Sequence, residues 1–305
     1  MIRKFKAKIK FTWDEYMKKL LGLVLGLTVG LAACSKPEAP ATDAAKSDTA
    51  KEQTVVMAST GSDADIWRYI TTLPETKKAG INLEVKNFTD YVAMNNAVAN
   101  KEVDLNAFQS YAYLVAFNAS NKDKIAPVST TYLEPMGIYS SKVKKVEDFT
   151  NGATIAIPND AANEARALLL LQSAGLVKLK ADFDPATGTP SDITENAKKI
   201  VIKPIQMATA VRVKDEVDAI VLGNTLALEG GLNVLKDSIY YEPVDQSTKL
   251  NVNILATAES RKDDPLLQKV GALYHTEAVN KYVQEKFGGT KVDVNKPISY
   301  LTESK

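Results

Sequence analysis

The 305-residue sequence holds one cysteine and one histidine. A single Cys excludes a disulfide framework, and one His leaves no Cys/His set for zinc. The same scarcity removes most Ser-His-Asp and Cys-His catalysis. The histidine, His275, falls inside 264–287, which reads as one long helix with Pro265 near its start and Gly288-Gly289 beyond its end. Between Tyr274 and Thr276 it reads as a helix-surface or packed side chain, not a ligand or base. An excess of charge of either sign is also missing. With 38 basic and 37 acidic residues, no broad basic face favours nucleic acid. No metal, cofactor or catalytic residue is expected, because no motif places a pair of carboxylates for chemistry.

Long apolar runs are equally scarce, and the one present is informative. Met17-Lys18-Lys19 precedes an uncharged run, 20–33, that ends Leu31-Ala32-Ala33-Cys34. A basic start, a short apolar stretch and small residues at the cut describe a secretory signal. The run is too short to span a bilayer, which takes about 20 residues. Leu-Ala-Ala-Cys resembles the bacterial lipobox, which implies that Cys34 is acylated and becomes the mature N-terminus. Residues 1–33 are therefore assigned to an upstream extension, with Met17 as the start, followed by a signal peptide. Residues 34–53, rich in Ala, Pro, Ser, Thr, Lys, Asp and Glu, lack side chains large enough to pack and read as a disordered tether. Ser35 after the cysteine, in place of Asp, leaves both an inner membrane and the cell surface open as locations.

From Thr54 onward the pattern is a strand followed by a helix, repeated. Strands are expected over 55–58, 83–88 and 103–108. Ser62 is a possible cap for the first helix, Thr89 or Asp90 caps the second, and a third runs over 111–118. Extended segments follow at 126–132 and 136–139. The pattern then restarts with a strand at 153–157 and a helix at 161–174. A loop-rich excursion, 175–198, leads to a strand at 200–205, a helix at 208–214 and a strand at 217–222. A helix opens at Asn224, and a late strand covers 251–257. Alternation of this kind predicts an α/β fold with mainly parallel sheets. Length allows two domains. Lys101-Glu102-Val103-Asp104 is echoed by Lys214-Asp215-Glu216-Val217-Asp218, each joining a helix to a strand. The echo suits two similar lobes facing one cleft, and such sheets bind ligands at the carboxyl ends of their strands.

Residues 157–172 concentrate the chemistry. A strand closed by Pro158 leads to Asn159 or Asp160 as helix cap, and the first turn that follows offers unpaired N–H groups to an anion. Asn163 and Arg166 share a face of that helix, and Arg166 presents a fork suited to a carboxylate. An ordinary capped helix with a surface arginine has the same pattern. Phe88, Tyr91, Phe108, Tyr111 and Tyr113 cluster at two strand–helix corners with Asn106, Gln109 and Ser110 among them. They are candidates for a pocket as well as for the core. Trp67 could close the same mouth. Asp63 and Asp65 could meet an ammonium group or simply supply helix N-terminal charge.

Four stretches carry a family resemblance: Phe88-Thr89-Asp90-Tyr91-Val92, Asn106-Ala107-Phe108-Gln109, Glu134-Pro135-Met136-Gly137-Ile138-Tyr139-Ser140, and Ile157-Pro158-Asn159-Asp160 through Gln172. In this order they resemble the NlpA/MetQ lipoproteins, the substrate-binding components of methionine-type ABC importers. The resemblance runs from about Val55 to the C-terminus. It implies a two-lobed periplasmic-binding-protein fold (type II-like), with lobe 1 from 54–136 plus 256–305 and lobe 2 from 137–255, closing by a hinge over one amino acid. Tyr91, Tyr113 and Phe108 would line the side-chain pocket, with Ser110 beside them. Arg166 would pair with the ligand carboxylate and Asn163 with the ligand backbone, and Asn224 lies in a loop that contributes an amide. The expected partners are a small amino acid, most of all L- or D-methionine, an ABC permease, and a membrane reached through the lipid. A monomer in the cell envelope is expected. Three positions depart from the pattern. Ser110 stands where methionine-bound relatives usually have His, Leu222 where many have Asn, and Gly61-Ser62-Asp63 where Gly-Pro-His is frequent. These departures bear on the ligand, since sites built on buried hydrogen bonds discriminate strongly. Another amino acid, a methionine derivative, a short peptide, a surface adhesion role, or an enzyme on the same scaffold are the alternatives.

Overall fold

The computed structural model describes residues 52–243 and 246–303. The signal peptide, Cys34 and nearly all of the tether lie outside the described residues.

Strand β1 (Gln53–Ser59) enters the first sheet and is followed by helices α1 (Gly61–Thr72) and α2 (Pro74–Lys78), then β2 (Ile81–Asn87). Helix α3 (Tyr91–Ala99) is capped by Asp90, whose carboxylate accepts from Ala93 N at 2.7 Å. Strand β3 (Leu105–Ser110), helix α4 (Tyr111–Ser120), β4 (Ile125–Thr130) and the short β5 (Tyr132–Leu133) follow. The chain then crosses to a second sheet through Glu134-Pro135. There it forms β6 (Met136–Tyr139), β7 (Thr154–Pro158), helix α5 (Ala161–Ser173), a small hairpin of β8 (Lys178–Leu179) and β9 (Ile193–Glu195), and β10 (Val201–Ile205). Helix α6 (Met207–Ala210), β11 (Ala219–Gly223), helices α7 (Asn224–Glu229) and α8 (Val234–Asp237), and β12 (Tyr240–Tyr241) complete this lobe. The chain returns to the first lobe for β13 (Asn253–Ala258), α9 (Pro265–Tyr274), α10 (Glu277–Phe287), β14 (Val292–Asp293) and α11 (Ser299–Thr302).

The two large sheets share one plan. The first has the order β2-β1-β3-β13-β4 and the second β10-β7-β11-β6-β12. In each, the first three strands are parallel and the last two run antiparallel to their neighbours. The expected α/β two-lobed fold is present, and in each large sheet four strands run the same way while one, β13 or β6, runs against them. The reason lies at the crossings: β6 and β13 each begin at a lobe junction and enter their sheets from the opposite end. Strand β13 starts at Asn253, so the expected boundary at 255/256 falls inside a strand of the first sheet. Likewise β6 already begins at Met136.

Alternation along the strands divides each core in two. Val55 and Met57 face Ile66, Trp67 and Ile70 of α1, while Ala58 faces Met94, Val98 and Leu114 on the other side. In the second lobe Ile155 and Ile157 meet Leu168 and Leu171 of α5, while Ala156 packs with Ile220 and Leu222. Coverage on both faces explains why these strands read as nearly continuous apolar runs.

The sequence echo is a structural one. Asp104 N donates to Val56 O at 2.8 Å and Asp104 Oδ2 accepts from Val56 N at 2.7 Å. Asp218 does the same with Thr154, at 2.9 and 2.8 Å. Each aspartate thus brackets the second strand of its sheet, β1 or β7, at the point where the third, β3 or β11, begins.

Three local expectations are corrected. Thr60, not Ser62, precedes α1, and Ser62 lies inside the helix with its Oγ 3.2 Å from Thr225 Oγ1 of the other lobe. The expected helix over 208–214 is a single turn, α6, followed by a 3-10 turn at Val211–Val213. The expected helix over 264–287 is two helices separated at His275 and Thr276. His275 holds that break, with Nδ1 2.7 Å from Asp293 Oδ1 and Nε2 2.9 Å from Thr130 O.

Candidate functional site

The carboxyl ends of β3, β7 and β11 face a cleft that holds, with its mouth, about 500 Å³ of free space. The first lobe supplies Tyr91, Phe108, Gln109, Ser110, Tyr113 and Asn253. The second supplies Asn163, Arg166, Met207, Gly223, Thr225 and Leu226, and Glu134 enters from the crossing between lobes.

The aromatic wall is a triangle. Tyr91 and Phe108 have ring centroids 5.0 Å apart, Phe108 and Tyr113 5.7 Å, and Tyr91 and Tyr113 6.3 Å. Burial, reinforced by nearby carboxylates, pushes both phenols above their ordinary range, so they stay neutral. Behind the wall Asn95, Asn106 and Gln109 bond one another at 2.7 to 3.0 Å, fixing the end of β3. Ser110 Oγ accepts from Tyr113 N at 3.2 Å and caps α4.

On the opposite side Asp160 caps α5, accepting from Asn163 N at 3.1 Å and Asn163 Nδ2 at 2.9 Å. Asn163 Oδ1 carries no hydrogen bond among the described residues. Arg166, one turn on, is 7% exposed. Its Nε donates to Glu242 Oε1 and Oε2 at 2.9 and 3.1 Å, and its Nη2 to Glu242 Oε2 at 2.5 Å and Glu134 O at 2.8 Å. Nη1 has no hydrogen-bond partner among the described residues. Burial alone would lower the guanidinium, yet the Glu242 carboxylate holds it above its usual value.

Below the cleft lies a group of buried charges. Lys291 is fully buried, with Nζ 2.7 Å from Glu134 Oε2, 2.9 Å from Thr225 Oγ1 and 3.9 Å from the Tyr132 ring centre. Asn224 Nδ2 donates to Glu134 Oε2 at 3.0 Å and Thr290 Oγ1 at 3.1 Å. Burial would raise the Glu134 carboxyl, but the Lys291 ammonium and these donors bring it below its ordinary value. Asp63 is raised, chiefly by burial, although Lys291 opposes the change and Tyr132 OH donates to its Oδ1.

Tyr91, Phe108, Ser110, Tyr113, Asn163 and Arg166 therefore converge on one cleft. Asn224 does not reach its wall: it is fully buried, its amide faces Glu134 and Thr290, and Thr225 takes the lining position. Leu222 is a core residue, so the departure there removes no cleft contact. Trp67 lies in the core against Tyr274 at 5.7 Å and does not close the mouth. Asp63 meets the protein's own Lys291, while Asp65 is half-buried near Arg68 and Lys286. Sequence reading missed Glu242, Lys291, Thr225 and Met207. Glu134 stood within a quoted motif, and only its place between two lobes marks it out. Nothing local distinguishes Lys291 from any lysine after a helix.

Two α/β lobes joined by two crossings, with a cleft at the strand ends, make this a two-lobed periplasmic-binding-protein fold. A family model described as NlpA lipoprotein matches residues 55–295, and the chain belongs to that family. Outer membrane lipoprotein 2 of Mannheimia haemolytica is 38% identical over 274 residues, 89% of this chain and 97% of its own. Methionine-binding lipoprotein MetQ of Bacillus subtilis is 32% identical over 286 residues, 92% and 100% of the two chains. A nutrient-binding protein from Burkholderia cenocepacia, solved bound to methionine, superposes with a TM-score of 0.75 at 35% identity, covering 78% of this chain and 99% of that one.

Proposed function

We propose that the protein is the substrate-binding component of an ABC importer and holds one methionine in the cleft between its lobes. Acylation at Cys34 tethers it to the cell envelope, and as a monomer it delivers its ligand to a membrane permease. It binds and releases, and carries out no reaction on the ligand. The observation that carries this reading is the opposition of the Tyr91–Phe108–Tyr113 triangle to Arg166, whose Nη1 has no partner among the described residues, across one cleft. An apolar thioether side chain suits the aromatic triangle. The ligand carboxylate suits Arg166 Nη1, and its ammonium suits Asn163 Oδ1 and the Glu134 carboxylate. The relatives' names support methionine as the ligand. Ser110 favours a second reading, another amino acid or a methionine derivative, because its hydroxyl already caps α4 and offers less to a ligand than a ring nitrogen.

The test is mass spectrometry of whatever the purified protein releases on gentle denaturation. Calorimetry of the refolded, ligand-free protein with L- and D-methionine then follows. Recovery of methionine and saturable binding of either enantiomer is the expected result. Release of an unrelated molecule, with no heat from either enantiomer, sinks the methionine assignment.

A further inference from the structure

Arg166 does not offer the cleft a free fork. A guanidinium has five N–H donors arranged around a plane. Glu242 takes the Nε–Nη2 edge side-on, and the carbonyl of Glu134 takes a second Nη2 proton. Glu242 is itself fixed by the first crossing. Its Oε2 accepts from Met136 N at 2.8 Å and its own N–H donates to Met136 O at 3.0 Å. Its side chain is almost buried and does not line the cleft, so it reaches a ligand only through Arg166.

We propose that Glu242 is the positioning residue of the carboxylate subsite, holding Arg166 edge-on so that Nη1 alone meets the ligand. The proposal rests on the assignment of the ligand carboxylate to Arg166 made above. Glu242 sits on the second crossing and Glu134 on the first, so the guanidinium is fixed to both connections between the lobes. Its aim toward the cleft is set by the hinge and not by the ligand. A glutamine at 242 keeps the volume but brings one N–H₂ group against the N–H donors of Arg166 and Met136. Nη1 then loses its fixed direction. An aspartate keeps the charge but is one methylene short of spanning Nε, Nη2 and Met136 N together.

The experiment compares L-methionine with L-methioninamide, which lacks the carboxylate, and with norleucine, which lacks only the sulfur. Dissociation constants are measured by calorimetry on wild type, Glu242→Gln, Glu242→Asp and Arg166→Ala. In wild type the acid is expected to bind about tenfold or more tighter than the amide. That preference should fall close to one in Glu242→Gln, as in Arg166→Ala, while the methionine-to-norleucine preference stays at its wild-type value. Glu242→Asp should lie between, with the acid preference reduced by roughly threefold or more. If Glu242→Gln does not fold, the aspartate variant decides alone by the same criterion. Equal weakening of acid and amide gives Glu242 a merely structural role and overturns the proposal, as does a rise in the acid preference. A wild type indifferent to the carboxylate overturns the assignment to Arg166 as well, which separates that failure from the failure of Glu242.

Discussion

Asp63 and Lys291 face each other at 3.5 Å, and neither side chain is more than 3% exposed. Glu134 stands on the other side of the same ammonium at 2.7 Å. One buried cation thus lies between two buried carboxyls. It holds Glu134 ionised, and Asp63, with Oδ2 unpartnered among the described residues, is the carboxyl that burial raises. Breaking such a cluster by removing one member leaves an uncompensated charge in low dielectric.

The raised Asp63 carboxyl gives stability a pH dependence with a definite sign. A carboxyl raised in the folded state contributes stability fully below its ordinary value of 3.8, and loses it as pH rises through the folded value. Asparagine at 63 does not titrate, so Asp63→Asn should gain stability relative to wild type as pH rises from about 4 to about 7. Glu134, lowered in the fold, slopes the opposite way in both proteins. Urea unfolding of the two proteins across this range checks it. A difference that stays flat means that Asp63 is ionised like its neighbour.

Arg166→Ala should damage the ligand-free protein as well as binding. Glu242 would be left buried without its cation, a loss of about 3–5 kcal/mol in comparable pairs. Denaturant unfolding without ligand measures this. A double variant, Arg166→Ala with Glu242→Ala, should recover much of it, since removing both charges avoids the orphan. A single variant as stable as wild type would mean that the pair contributes nothing to the fold.

His275→Ala should reduce stability and spare binding. The ring joins Asp293 and the carbonyl of Thr130 at the break between α9 and α10, and it has no place in the cleft wall. Loss of its two hydrogen bonds should lower unfolding free energy by about 1–3 kcal/mol. Calorimetry at a temperature where the variant is folded should give an unchanged ligand dissociation constant. Lost affinity in a variant of wild-type stability would place the only histidine in function.

What the sequence disclosed was local. Of the paired candidates Thr89 or Asp90 and Asn159 or Asp160, the aspartate caps the helix in each case, and a cap is legible because it needs only the three residues that follow it. The repeated Val-Asp was legible as an echo, although its bracket on Val56 and Thr154 was not. The pairings that build the site are long-range. Glu242 lies 76 residues from Arg166 and Lys291 lies 157 from Glu134, and no spacing rule connects them. The expectation of one helix over 264–287 failed for a related reason. The apolar period continues through His275, no Gly or Pro stands at the break itself (Gly271 lies one turn earlier, inside the helix), and the interruption comes from Asp293 and Thr130 arriving from elsewhere.

The place of β13 has a consequence for the birth of the molecule. The second lobe's large sheet is built from one uninterrupted segment, 136–241, but the first lobe's sheet is not. Between β3 and β4 it waits for six residues, Asn253–Ala258, that leave the ribosome only after the whole second lobe. Synthesis runs from the N-terminus, so the first lobe exists for that interval as a sheet with its penultimate strand missing and two edges open. Closing so long a loop is slow because its entropy must be lost before any pairing compensates for it. The lobe that is made first is therefore finished last, and the return of one short strand completes both the first sheet and the second connection across the cleft.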